Sequence, residues 1–206
     1  MSKKNIFFII ILAVIIAGVL FFIFRKSPVI KNYPPKGATV VAFGDSLTEG
    51  VGSTAGNDYP SVLSRLIGEP IINMGVSGNT SAQGLARIED VISKDPKIVL
   101  VLFGGNDFLR RISTEETFKN IDSMVVQLQN SGALVVLLGV KGGIVLDGYE
   151  DYFEDIAKNR GALYVPNVLS GFFGKKEYMS DGIHPNDAGY RKIAEKVYSA
   201  MKDVLK

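Results

Sequence analysis

Five short runs of almost unbroken apolar residues, at 39–43, 71–74, 98–103, 134–140 and 163–165, constrain the fold of this chain more than any other feature. A strand that is apolar at every position must be covered on both faces, and a parallel sheet between two layers of helix does this. The intervening segments 59–66, 81–92, 114–129, 149–159 and 185–205 carry the amphipathic period of such covering helices. Ser113 or Thr114 ahead of Glu116 marks a helix start, while Gly132 and Gly161 mark stops. The expected fold is α/β: an α/β/α sandwich around a five-stranded parallel sheet, occupying residues 39–206. With 206 residues, 47% hydrophobic and 21% charged, the chain has room for one such domain and a short appendage.

The appendage is residues 1–38. Residues 5–24 carry no charge, and about 20 such residues are what a helix needs to cross a hydrocarbon core of roughly 30 Å. Lys3 and Lys4 precede the run, and Arg25 and Lys26 follow it, which also describes a cleavable signal peptide. The run is longer than the apolar part of a signal peptide, and it ends in Leu20, Phe21, Phe22, Ile23 and Phe24 where cleavage requires small residues. An uncleaved anchor over residues 1–26, one membrane-spanning helix, is therefore expected. Pro28, Pro34 and Pro35 make residues 27–38 a short, stiff linker.

Composition excludes several classes of function. A formal net charge of +2 with scattered basic residues gives no reason to expect a nucleic-acid partner. The absence of cysteine removes disulfides, thiolate metal sites and cysteine nucleophiles, and with a single histidine no zinc centre is expected. No Gly-x-Ser-x-Gly elbow occurs, which disfavours an α/β-hydrolase, and no dinucleotide fingerprint or P-loop occurs, so no cofactor is expected.

In an open parallel sheet, ligands bind beyond the carboxyl ends of the strands. The residues at those ends are Gly44-Asp45-Ser46-Leu47 after the first run, Gly75-Val76-Ser77-Gly78-Asn79 after the second, and Gly104-Gly105-Asn106-Asp107 after the third. Near the C-terminus stands Asp181-Gly182-Ile183-His184-Pro185. A serine hydroxyl needs a base to take its proton, and imidazole is the side chain best matched to neutral pH. His184 is the only histidine, and Asp181, three residues earlier, can reach its Nδ1 and leave Nε2 free to face a serine. Pro185 would then occupy the first position of the last helix. Plainer readings exist for each residue: Ser46 as an N-cap, Asp181 and His184 as a capping turn, Gly78 as a loop glycine and Asn106 as an Asx turn. Asp45 and Asp107 are expected to accept loop N–H groups around the site.

The four blocks, in this order and spacing, resemble the SGNH subgroup of the GDSL hydrolases from Val41 to about Tyr190. Residues 78–87 and 104–110 resemble more narrowly its bacterial thioesterase, protease and lysophospholipase members. The resemblance implies a flavodoxin-like sandwich and a Ser46, His184, Asp181 triad. It further implies an oxyanion hole from Ser46, Gly78 and Asn106, and an acyl ester or thioester substrate. A monomer that uses no cofactor and no metal is expected. Sugar acetylesterases share the blocks, so an O-acetylated envelope polysaccharide is a rival substrate, and an inactive membrane-tethered binding module is a rival of another class. Residues 141–148 depart from the subgroup where a substrate loop would lie. The flanking charges point weakly to a cytoplasmic domain, whereas the resemblance implies an extracytoplasmic one, which is the expectation adopted.

Overall fold

The computed structural model describes Ile16, residues 29–141 and residues 148–205. Its sheet contains β1 (Thr39–Gly44), β2 (Ile71–Gly75), β3 (Pro96–Leu102), β4 (Leu134–Leu138) and β5 (Leu163–Val165), all parallel, in the order β2-β1-β3-β4-β5. This is the order of flavodoxin-like doubly wound sheets, which leave a crevice where neighbouring connections diverge, here between β1 and β3. The helices are α1 (Ser46–Glu49), α2 (Tyr59–Ile67), α3 (Ser81–Leu85), α4 (Ile88–Ile92), α5 (Gly105–Leu109), α6 (Thr114–Asn130), α7 (Tyr149–Arg160) and α8 (Asp187–Met201). One layer contains the packed pair α2 and α8; the other contains α3, α4, α6 and α7.

The central strands are apolar because nothing else fits between these layers. Val40 to Phe43, Val99 to Leu102 and Leu134 to Leu138 are fully buried, and Phe43 meets Phe103 edge to face at 4.9 Å. Helix ends follow local chemistry. Asp58 accepts from Ser61 N, Ser113 from Glu116 N and Asn186 from Ala188 and Gly189 N, while Gly68 and Gly161 close α2 and α7 in the left-handed conformation.

Several expectations need correction. Residues 81–92 form two short helices rather than one, because the chain breaks at Arg87 (φ −115°, ψ 21°), whose guanidinium reaches the ends of β1 and β2. Pro185 lies outside the last helix: it bridges Met179, Asn186 is the cap and Asp187 begins α8. Ser46 is the first residue of α1 and not its cap, which is Asp45. β3 starts two residues early, at Pro96, while β4 stops at Leu138, and the segment after β3 is helical as α5. The described part of the linker does not stand off from the domain. Lys31 N donates to Gly161 O at 2.8 Å, and Asn32 Nδ2 donates to Gln129 O and Ala133 O, both at 2.8 Å. Among the described residues no helix is long and apolar enough to cross a membrane. The expected anchor, apart from Ile16, and residues 142–147 of the expected substrate loop lie outside the described residues.

Helix α1 crosses closely over the ends of β1 and β2. A Cβ at Gly75 would lie 2.0 Å from Glu49 N, and one at Gly44 would lie 2.1 Å from Thr48 Oγ1. Gly75→Ala is expected to destabilise the protein by about 3 kcal/mol, because main chain must yield, and so to lower Tm by roughly 6–12 °C in a chain of this size. Differential scanning calorimetry checks it, and an unchanged Tm would mean that α1 is free to shift.

Candidate active site

Three segments converge at the carboxyl ends of the strands. The first is the turn from β1 into α1, where Asp45 Oδ1 accepts from Leu47 N at 3.0 Å and starts the helix at Ser46, which is only 8% exposed. Tyr190 of α8 donates its hydroxyl to Val51 O at 2.7 Å, joining this turn to the element that follows His184.

The second segment is the loop before α8. Ser180 N and Oγ both donate to His184 O, at 2.9 and 3.1 Å, and the Met179 to Pro185 bridge closes the loop's base. Within it Asp181 Oδ1 accepts from Ile183 N at 2.8 Å and His184 N at 2.7 Å, while its Oδ2 lies 2.8 Å from His184 Nδ1. His184 Nε2 lies 3.1 Å from Ser46 Oγ. Thus the structure brings Ser46, His184 and Asp181 into one hydroxyl, imidazole and carboxylate chain, from positions up to 138 residues apart. The hydrogen bond from the His184 ring, followed by those from the two backbone N–H groups, holds the Asp181 carboxyl down at about 2.

The third segment is the β2 exit loop facing the start of α5. Gly78 has φ +78°, a left-handed conformation that admits glycine readily, and its carbonyl accepts from Arg110 Nη2 at 2.8 Å. Asn106 Nδ2 donates to Asn79 O at 3.0 Å and to Asp45 Oδ2 at 3.2 Å, so Gly78, Asn106 and Ser46 line one cleft.

Arg87, to which the sequence reading gave no role, organises this third segment. Its Nε donates to Asn79 Oδ1, its Nη1 to Met74 O and its Nη2 to Gly44 O, all at 2.9 Å, and its guanidinium lies 4.5 Å from the centre of the Phe43 ring. A cation in the middle of an apolar helical pattern was the available signal. Asp45 and Asp107 accept N–H groups at helix starts rather than in loops: Asp45 takes Leu47 N in α1, and Asp107 takes Ser81 N at the start of α3. Asp107, fully buried, takes Ser81 N at 2.9 Å and Ser81 Oγ at 2.6 Å. Burial pushes the Asp45 carboxyl up to about 7, against the opposing pull of Leu47 N–H.

The cleft over Ser46 has a volume of about 300 Å³, and most of its wall is apolar: Leu47, Phe108, Val140 and Leu169 inside, Leu109, Phe173 and Ile183 toward the rim. Among the described residues no group of three or more His, Asp and Glu could hold a metal ion.

The two carboxyls act oppositely on stability. Asp45 keeps a proton up to about 7 when folded but loses it near 4 when unfolded, so stability falls as pH rises from about 4 to about 7. Asp181 stays ionised down to about 2, so its contribution is present above about 4 and is lost as pH falls toward 2. Urea unfolding between pH 2 and 8 is expected to show both slopes, and Asp45→Asn should abolish the upper one. An upper slope that survives the substitution would exclude Asp45 as its source.

Residues 42–192 match the family described as GDSL-like Lipase/Acylhydrolase. The chain is 28% identical over 179 residues to Esterase TesA of Pseudomonas aeruginosa, covering 81% of this chain and 89% of that one. It is also 28% identical over 166 residues to the thioesterase 1/protease 1/lysophospholipase L1 of Escherichia coli K12, covering 76% of this chain and 80% of the relative. A crystal structure of TesA superposes with a TM-score of 0.75 at 28% identity, over 81% of this chain and 99% of that one. With the family match covering most of the sheet and all three converging segments, this chain belongs to the GDSL-like lipase/acylhydrolase family and is a serine hydrolase of the GDSL/SGNH type.

Proposed function

We propose that this protein hydrolyses acyl esters and acyl thioesters through a Ser46, His184, Asp181 triad and an acyl-enzyme intermediate. The hydrogen-bonded chain of 3.1 and 2.8 Å at the floor of an apolar cleft carries this reading. Ser46 Oγ attacks the acyl carbonyl while His184 Nε2 takes its proton, then returns it to the leaving alcohol or thiol. Water repeats the sequence on the acyl-enzyme and releases the acid. Asp181, ionised at neutral pH, orients the imidazole and stabilises its charged form.

The oxyanion would be held by N–H groups of Ser46 and Gly78 and by the Asn106 amide. Both hydrogens of Asn106 Nδ2 have partners, so the arriving oxygen must share or replace one of them. Arg87 and Arg110 serve as positioning residues, since they hold the loop around Gly78 and Asn79 without lining the cleft at Ser46.

The apolar lining favours an acyl chain longer than acetyl, in a lysophospholipid, an aryl ester or a thioester. The names of the relatives, esterase, thioesterase and lysophospholipase, support the same range. An O-acetylated polysaccharide would leave most of this apolar wall without a partner. Residues 1–26 are assigned as an uncleaved anchor, 27–38 as the linker and 39–206 as the hydrolase domain on the extracytoplasmic side. The uncharged run 5–24 supports the anchor, and the family resemblance supports the side.

Ser46→Ala and His184→Ala are expected to lower kcat on p-nitrophenyl octanoate by roughly 10⁴-fold or more with unchanged Tm. The parent should prefer octanoate to acetate in kcat/KM. Retained turnover in either variant would sink the triad, and a preference for acetate would turn the substrate assignment toward sugar acetates. Arg87→Met should lower kcat by about tenfold or more while KM changes little, because the oxyanion contact strengthens only in the transition state. A change confined to KM would place Arg87 in substrate binding instead.

A further inference from the structure

We propose that the cleft of this protein faces away from the membrane that anchors it. Its substrate is then an amphiphilic acyl ester or thioester arriving through water, and not a lipid resident in the anchoring bilayer. The inference rests on the esterase and anchor readings above, and what decides it is where the chain enters the domain.

That entry is a docked strap at the pole opposite Ser46. Lys31 N donates to Gly161 O, Asn32 Nδ2 to Gln129 O and Ala133 O, and Tyr33 OH to Asp203 O at 3.3 Å. Farther on, Ala38 N donates to Asp95 O at 2.9 Å. Gly161, Ala133 and Asp95 lie just before the starts of β5, β4 and β3, Gln129 is in the last turn of the helix that leads into β4, and Asp203 lies just beyond α8, so the acceptors gather at the amino ends of the strands. Gly161 is required there, because a Cβ would come within 2.7 Å of Val29 O. Ser46, Gly78 and Asn106 all follow the carboxyl ends. Helix α8 spans the two poles. His184 precedes its cap Asn186 by two residues, Asp203 lies two residues past its end, and its 15 residues measure about 22 Å at about 1.5 Å each.

The five peptide steps from Phe24 to Val29 can reach at most about 18 Å. A domain of this size is roughly 40 Å across. Turning the cleft onto the anchoring bilayer would require the tether to run back over the whole height of the domain, more than twice its reach. The domain can tilt but cannot invert. The exposed rim residues Leu109 (58%), Ile183 (45%) and Phe173 (37%) therefore face water, where they suit capture of a dispersed amphiphile.

The test uses the full chain reconstituted in phosphatidylcholine vesicles, with two substrates: water-soluble p-nitrophenyl octanoate, and a fluorogenic diacyl phospholipid that does not leave its bilayer. The soluble ester should be cleaved at the same rate in vesicles as in detergent micelles. The resident lipid should be cleaved at least tenfold more slowly in vesicles than in mixed micelles. A flexible 30-residue Gly/Ser insert between Lys26 and Ser27, with a mean span of roughly 30 Å and a far longer maximum reach, should raise cleavage of the resident lipid at least fivefold without altering the soluble rate. Rapid cleavage of resident lipid by the unmodified chain, or no gain from the insert, overturns the proposal. Loss of its premises is distinguishable and overturns it equally: no turnover of the soluble ester removes the esterase reading, and failure to float with the vesicles removes the anchor.

Discussion

Burial of the central strands on both faces is the constraint from which the rest of this structure follows. β1, β3 and β4 lie between two helical layers with nearly every side chain out of water, and each fully buried Val or Leu contributes on the order of 2 kcal/mol. Such a sheet has no room for polar chemistry inside it. The chemistry is displaced to the strand ends, and the order β2-β1-β3-β4-β5 decides which ends meet. β1 sits between β2 and β3, so the turns carrying Ser46, Gly78 and Asn106 become neighbours although they are far apart in the chain.

Environment then separates carboxylates that are chemically alike. Asp45, desolvated beneath the site, is held toward its neutral form and serves as a cap and a partner for Asn106. Asp181, half-exposed and surrounded by N–H donors, is held as an anion beside His184. Desolvation wins in the first case because one backbone N–H and one amide do not replace a hydration shell. Hydrogen bonding wins in the second because little hydration is lost. The Arg87 guanidinium is half-buried, which is costly, and it is kept there by three acceptors and an aromatic face.

Much of the fold was legible in the chain. The runs at 39–43, 71–74 and 163–165 lie within or match strands, because continuous apolarity over so few residues has few other uses in a layered domain. The errors arose where a tertiary contact outweighed local preference. The helical pattern at 81–92 breaks because Arg87 is drawn to carbonyls at Met74 and Gly44, which no periodicity reveals. Pro185 has the residue type of a first helical position, but its loop is closed by Ser180 and His184, so the helix waits for the Asn186 cap. In the candidate site, the lone His184 with Asp181 three residues earlier was readable because their pairing is local. The docking of the linker is not legible in its prolines, because proline reports stiffness and says nothing about docking.

By itself the sequence determined what is local or compositional: an alternating α/β pattern, a parallel sheet and a single candidate base. Only the tertiary structure decided what depends on distances between remote segments. Those are the 3.1 Å approach of His184 to Ser46, the grip of Arg87 on the β2 exit loop, and the seating of residues 31–33 at the pole opposite the cleft. The physical reason is the same in each case: a hydrogen bond depends on the position of both partners, and for partners separated by many residues that position is a property of the packed layers.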